Sequence, residues 1–249
     1  MRYFIEIAYH GKNYHGWQRQ PNAISVQEKI EEALTTIRRK ETSVVGAGRT
    51  DSGVHALQLF AHFDCDTQIN YKELQHKLNA FLPDDIVVHA IFLVKKDAHA
   101  RFDALSRSYK YQIYLGRNPF VLDTTWQIYS QKIAIKEMNK AAVVLLEYTN
   151  FKCFSKSKTD VRTYNCKITA AKWQLDGNIL TFSISADRFL RNMVRAIVGT
   201  LIDVGLGKTS IADFRKIIES EDRSEAGLSV PAKGLFLTEI SYPDIEISY

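Results

Sequence analysis

The chain has little cysteine, little proline and no long apolar run, and each shortage closes off a class of protein. Its three cysteines, Cys65, Cys153 and Cys166, are odd in number and far apart, with no CxxC pair. Neither a disulfide framework nor a cysteine zinc site is indicated, and a reducing compartment fits. No uninterrupted apolar stretch approaches the ~18 residues that a bilayer crossing needs, and the chain enters RYFIEIAY without a signal-peptide pattern. The expected location is the cytoplasm, with no membrane partner. Acidic residues fall short of basic ones, 28 Asp and Glu against 33 Lys and Arg, for a formal net charge of +5. That excess suits a polyanionic partner but does not demand one.

What is present is enough for a packed core: 249 residues, 45% of them hydrophobic, allow one large domain or two small ones. The apolar pattern is duplicated. RYFIEIAYHG alternates as a strand, and SVQEKIEEALTTIRR reads as a helix opened by a Ser25/Glu28 capping box, with Val26, Ile30, Ala33, Leu34 and Ile37 on its apolar stripe. A short strand at Val44 and Val45, a charged turn, the strand ALQLFAHFD, the helix YKELQHKLNAFL stopped by Pro83, and the strand DIVVHAIFLV complete β-α-β-β-α-β. SRSYKYQIYLG, KEMNKAAVVLLE, the hairpin of KITAAKWQL and ILTFSISA about Asp176-Gly177-Asn178, helices from about Leu190 to Val204 and from Ser210 to Glu219, and LFLTEISY repeat the order with one added helix. The expectation is an α+β fold of two ferredoxin-like units with mainly antiparallel sheets side by side and a central active-site cleft. The boundary falls near Arg101 to Arg107, giving domains 1–104 and 105–249.

Several motifs reduce to ordinary structure. GLGKT at 205–209 lacks the earlier glycine of a phosphate-binding loop, since Ile202 stands there, and it follows a helix; it reads as a helix stop. His55, His62 and Asp64 match no metal-ligand spacing, so no metal is expected. The segment KCFSKSKTDVRTYNCK sets Lys152, Lys156, Lys158, Arg162 and Lys167 against the single acid Asp160, and reads either as a solvated loop or as one that grips phosphates. In DRFLRNMVRAIVG, Arg188, Arg191 and Arg195 are three and four apart, which on a helix is one face, and arginines bordering the stripe Met193, Val194, Ile197 and Leu201 suggest a cleft wall.

The turn GAGRTDSGVHA, residues 46–56, places one arginine and one aspartate between glycines, Arg49 and Asp51 two apart on either side of Thr50. In extended backbone both would project from the same side. Taken alone, such a turn is surface decoration. GRTDSGVHA, however, resembles the catalytic signature of the TruA family of tRNA pseudouridine synthases, and YHGKNYHGWQRQP, SVQEKIEEAL, LNAFLPDDI, AHARF, RSYKYQIY, FLRNMVRAIVGTL and PAKGLFLTEISYP resemble further family blocks in order along the whole chain. Two departures stand out: Ser52 where alanine is common, and Cys153 where serine is expected in NFKCFS.

The resemblance implies an isomerase acting on the anticodon stem-loop of tRNA at uridines 38 to 40, and a homodimer. It implies that Asp51 is the catalytic aspartate, that Tyr109 and Arg195 contact the substrate, and that Arg49 helps to hold the target nucleotide out of its helix. The residue types suit the reaction. The C1′–N1 bond breaks, the uracil turns in place and its C5 bonds to C1′, so nothing is oxidised or added and no cofactor is required. One carboxylate suffices where water must be kept out, unlike the pair of a glycosidase. Arg195 would offset the desolvation of Asp51, and Tyr109 would stack on the uracil. A non-catalytic RNA-binding or chaperone module on the same fold would use the arginines and tyrosines without needing Asp51; a metal-dependent nuclease built on His55, His62 and Asp64 is a more distant alternative.

Overall fold

The computed structural model describes residues 1–129, 132–156 and 161–243. The chain divides into two compact units, Met1–Leu105 with Phe236–Tyr249, and Ser106–Leu235.

The first unit runs β1 (Arg2–Tyr9), α1 (Val26–Arg38), β2 (Val45–Gly46), β3 (His55–Asp64), α2 (Tyr71–Phe81) and β4 (Ile86–Val94). Strand β1 lies between β4 and β3 and is antiparallel to both, Ile5 facing Ile91 on one side and Ala61 on the other. Short β2 adds to β3 with Val45 opposite His62. The alternation read from RYFIEIAY holds on one side, where Ile5 and Ile7 are fully buried; the other side is also covered, because Phe4 packs with Phe60, Phe92 and Tyr242. Helix α1 starts where the capping box places it: Ser25 Oγ accepts from Glu28 N, satisfying one of the donors a helix start leaves open. It buries Val26, Ile30, Ala33 and Leu34, and α2, capped by Asn70, buries Leu74 and Leu78. Between Ile7 and Tyr9 the β1–β3 register slips, so that Tyr9 pairs with Ala56 at the start of β3.

The second unit contains β5 (Ser106–Leu115), β6 (Trp126–Ile128), α3 (Ile135–Val144), β7 (Ile168–Asp176), β8 (Ile179–Ala186), α4 (Met193–Gly205) and α5 (Ile211–Ser220). Strand β8 is antiparallel to both β5 and β7, with Tyr111 opposite Phe182 and Phe182 opposite Trp173. Strand β6 runs parallel to β5. Helix α4 is apolar on nearly every side and buried along most of its length, as a helix without a polar face must be. The last strand, β9 (Leu235–Ser241), belongs to the first unit from Phe236 onward and pairs in parallel with β3 there, Phe236 opposite His55 and Leu237 opposite Ala56.

One expectation is corrected here. Arg188, Arg191 and Arg195 do not share a helical face, because α4 begins at Met193 and its N-cap, Asn192, is left-handed at φ 66°. Before it, Asp187 Oδ1 accepts from Lys167 N and Arg188 N, both at 2.7 Å, and this bonding turns the chain out of β8. Only Arg195 of the three is helical. GLGKT behaves as a helix stop, with Gly207 N and Lys208 N closing on the carbonyls of Val204 and Asp203. Among the described residues no helix is long and apolar enough to cross a membrane.

Candidate active site

The charged turn, residues 47–54, joins β2 to β3 and leaves the sheet after Ala47 N donates to the carbonyl of Phe60 at 2.8 Å. Its two flanks are pinned separately. On one, the hydroxyls of Thr50 and Tyr9 are hydrogen bonded at 2.8 Å, and Trp17 N donates to the same Thr50 Oγ1 at 3.1 Å. On the other, the Tyr14 carbonyl accepts from Gly53 N at 3.2 Å and from Ser52 Oγ at 3.4 Å. Val54 N then closes on the carbonyl of Asp51 at 3.2 Å. Asp51, between the flanks, is half-buried, while Arg49 is exposed. The two charges that share this turn therefore meet different surroundings: one is held within the fold and the other reaches solvent.

The partners that pin the two flanks, Tyr9, Tyr14 and Trp17, come from one stretch, YHGKNYHGW, residues 9–17. Its glycines are required by close approach. A Cβ on Gly16, whose φ is +89°, would stand 2.2 Å from the carbonyl oxygen of Thr50, and one on Gly11 would stand 2.0 Å from that of Val54. Backbone packs on backbone at both points, so the stretch acts as a cradle under the turn. Sequence reasoning found the turn but not this cradle. The available signal was the repeat of His-Gly at 10–11 and 15–16 among Tyr9, Tyr14 and Trp17, glycines with no obvious turn of their own.

Tyr109 and Arg195 belong to the second unit. Tyr109 lies on β5, half-buried, its ring meeting Phe189 edge-on at 5.2 Å between centroids. Arg195, in the first turn of α4, donates from Nε to the carbonyl of Val230 at 2.8 Å, and Val230 N returns a bond to the carbonyl of Arg195 at 3.3 Å. The neighbouring carbonyl, Pro231, accepts from the hydroxyl of Tyr111 at 2.8 Å. Burial raises the Tyr111 phenol far above its ordinary range, so it remains a donor at all working pH. The segment that presents these carbonyls is itself tied down: Arg223 donates to the carbonyls of Ala226 and Gly227 and to Ser229 Oγ, and Asn192 Nδ2 donates to Ser229 Oγ at 2.5 Å.

The histidines serve the fold. His55 Nδ1 accepts from Gly11 N at 3.0 Å, binding the cradle to the start of β3; His62 Nδ1 accepts from Ala100 N at 3.1 Å; and Asp64 takes both Nε and an Nη of Arg2. Among the described residues no group of three His, Cys, Asp or Glu is placed to hold a metal ion. In the basic segment, Lys152, Lys156, Arg162 and Lys167 are exposed, and the strand-like contacts of Phe151 N with the Tyr164 carbonyl and of Cys166 N with the Thr149 carbonyl close its base. Lys158 and Asp160 lie outside the described residues. Cys153 is buried there, and burial pushes its thiol up to about 12, which leaves it an unreactive packing group.

The sequence of this chain matches the family model described as tRNA pseudouridine synthase over residues 6–103 and 141–243. It is 53% identical over 246 residues to a protein of Porphyromonas gingivalis named tRNA pseudouridine synthase A, covering 97% of each chain. A protein of the same name from Bacteroides fragilis is 52% identical over 97% of this chain and 96% of its own. In the more distant Acetivibrio thermocellus the identity is 40%, over 95% of this chain and 97% of the relative, which also carries that name.

Proposed function

The chain belongs to the tRNA pseudouridine synthase family, and we propose that it isomerises uridine to pseudouridine at positions 38 to 40 of the anticodon stem-loop of tRNA, with Asp51 as its essential carboxylate. The observation that carries the catalytic assignment is the pinned turn: a half-buried carboxylate whose two neighbours, Thr50 and Ser52, are both hydrogen bonded to one supporting segment. A fold that merely needed a solvated turn has no use for that support. Reactive groups do, because rate depends on holding the reacting atoms in register.

The steps follow from the residue types. The target uridine leaves its stack at a cost of a few kcal/mol, which basic contacts to flanking phosphates offset. Arg49, exposed on the same turn, occupies the space that the base vacates. The Asp51 carboxylate acts on the ribose either as nucleophile at C1′ or as base toward a sugar proton, and the glycosidic bond breaks. The uracil is retained, turns, and bonds through C5 to C1′, displacing the Asp51 carboxylate on the first route or with the sugar proton returned from it on the second; N1 takes up a proton and the C5 proton is lost. The family resemblance assigns Arg195 and Tyr109 to contact with the substrate, Tyr109 stacking on the uracil while it turns. The exposed cations of the 152–167 segment bind phosphates. The first unit supports the ferredoxin-like reading through its order β4-β1-β3-β2, and the resemblance to the family supports a homodimer and a cytoplasmic location.

The test is release of tritium from C5-labelled uridine in an unmodified tRNA transcript, followed by mapping of the product. Release with pseudouridine at one or more of positions 38 to 40 supports the reading. Tight binding of the same tRNA with no release would shift it to a non-catalytic RNA-binding module.

A further inference from the structure

We propose that Asp85 is a positioning residue for the catalytic turn, acting through Tyr14; the inference rests on the assignment of Asp51 above. Asp85 stands at the entry to β4, after Pro83, and touches neither the turn nor its charged residues by any bond described here. It instead gathers three groups of the cradle. Its Oδ1 accepts from the Tyr14 hydroxyl, its Oδ2 accepts from Asn13 Nδ2 at 2.9 Å, and its backbone carbonyl accepts from His10 N at 2.9 Å. Tyr14 is the residue whose carbonyl holds Ser52 and Gly53. A single buried side chain thus connects the carboxylate of Asp85 at one end to the backbone on the far flank of Asp51 at the other.

The chemistry of the pair fits a fixed anchor. A phenol donating to a carboxylate is a charge-assisted bond, stronger than a neutral one and more exacting in direction. Burial, and then the bond to Asp85, raise the Tyr14 phenol well above its ordinary range, so the donor does not titrate away under working conditions. Tyr14 N also donates to the carbonyl of Gly11 at 3.1 Å, so the 10–14 loop closes on itself and cannot pivot without breaking one of these bonds. Without the Asp85 carboxylate, the loop loses its side-chain attachments at Tyr14 and Asn13, keeping only the bond from His10 N to the Asp85 backbone carbonyl, and the Tyr14 carbonyl is free to shift. An error of about 1 Å at a reacting group is enough to cost on the order of 100-fold in rate.

The experiment compares the full-length protein with Asp85→Ala, Asp85→Asn and Tyr14→Phe. Single-turnover tritium release at saturating tRNA, tRNA affinity and hydrogen exchange of the peptide covering residues 47–57 are measured together. Asp85→Ala is expected to slow the single turnover by about 10- to 100-fold with affinity changed by less than about threefold, and to speed exchange in the turn peptide, where Gly53 N is protected by the Tyr14 carbonyl. Asp85→Asn, which keeps an acceptor for the Tyr14 hydroxyl, recovers most of the rate. Tyr14→Phe in the Asp85→Ala background adds little, since the two changes cut one connection. A lower melting temperature with an unchanged single-turnover rate would overturn the proposal, and so would unchanged exchange in the turn peptide. The exchange arm does not depend on catalysis, so full turnover by Asp51→Asn would refute the catalytic assignment while leaving the control of the turn by Asp85 to be decided by exchange alone.

Discussion

Arg195 Nε donates to the main-chain carbonyl of Val230 at 2.8 Å, so backbone helps to orient the guanidinium. Lysine has no donor at that point on its stem and offers a single charged end in place of a planar fork. Arg195→Lys is therefore expected to keep the charge and lose the orientation. Single-turnover rate should fall by about 100-fold while tRNA affinity stays near that of the parent protein. A rate within a factor of about three of the parent would show that charge alone is needed there.

Gly16 tests the cradle from beneath. Its φ of +89° is strained for any L side chain, and a Cβ would meet the Thr50 carbonyl at 2.2 Å, backbone that cannot rotate away. Gly16→Ala should destabilise the protein by about 1–3 kcal/mol or more, and the turn should shift. The sign of a local effect is that turnover, assayed well below the melting temperature, drops further than the folded fraction. Thermal melting and single-turnover rate on one preparation separate the two.

Stability should depend on pH through His62. Burial, with smaller contributions from Arg2 and His99, lowers its pKa from the ordinary 6.5 to about 4. Between those values the unfolded chain binds a proton that the folded chain refuses. Stability is thus complete above about 6.5, falls as pH drops toward 4, and loses nothing further from this group below that, a change on the order of 2–3 kcal/mol. Urea unfolding of the parent and of His62→Gln, which can still accept from Ala100 N, provides the check. The parent should lose more stability than the variant between pH 7 and pH 4.5; parallel losses would remove His62 as the cause.

Much of this architecture could be read before any coordinates. The Ser25 cap, the stripe of α1, the Gly177 hairpin and the final strand depend on local patterns, and local patterns are what a sequence displays. Asp51 is singled out in the sequence only by the resemblance of GRTDSGVHA to the family signature, because the turn taken alone reads as surface decoration. The cradle was hidden for a physical reason: Tyr14 and Ser52 are separated by dozens of residues and meet through a main-chain carbonyl, and no side-chain pattern reports where a carbonyl points. The arginine face failed for a related reason. Spacing assumes a continuous helix, and Asn192, left-handed at φ 66°, interrupts it. Asp187, which turns the chain just upstream, is unremarkable in the sequence until its bonds to Lys167 N and Arg188 N are seen.

The central claim is that Asp51 performs bond exchange and is dispensable for affinity, and Asp51→Asn tests it most directly. The substitution keeps size and shape and removes the ionisable carboxylate, so both the nucleophilic and the proton-abstracting route fail. Loss of a negative charge from a site that meets an anionic ligand leaves binding equal or slightly tighter. The measurement is single-turnover tritium release by Asp51→Asn at saturating tRNA, with the affinity determined in parallel and the protein checked by mass for deamidation back to aspartate. The expected result is no pseudouridine, tRNA retained and a cooperative melting transition. Turnover at a rate near that of the parent, in protein free of deamidation, would contradict the account.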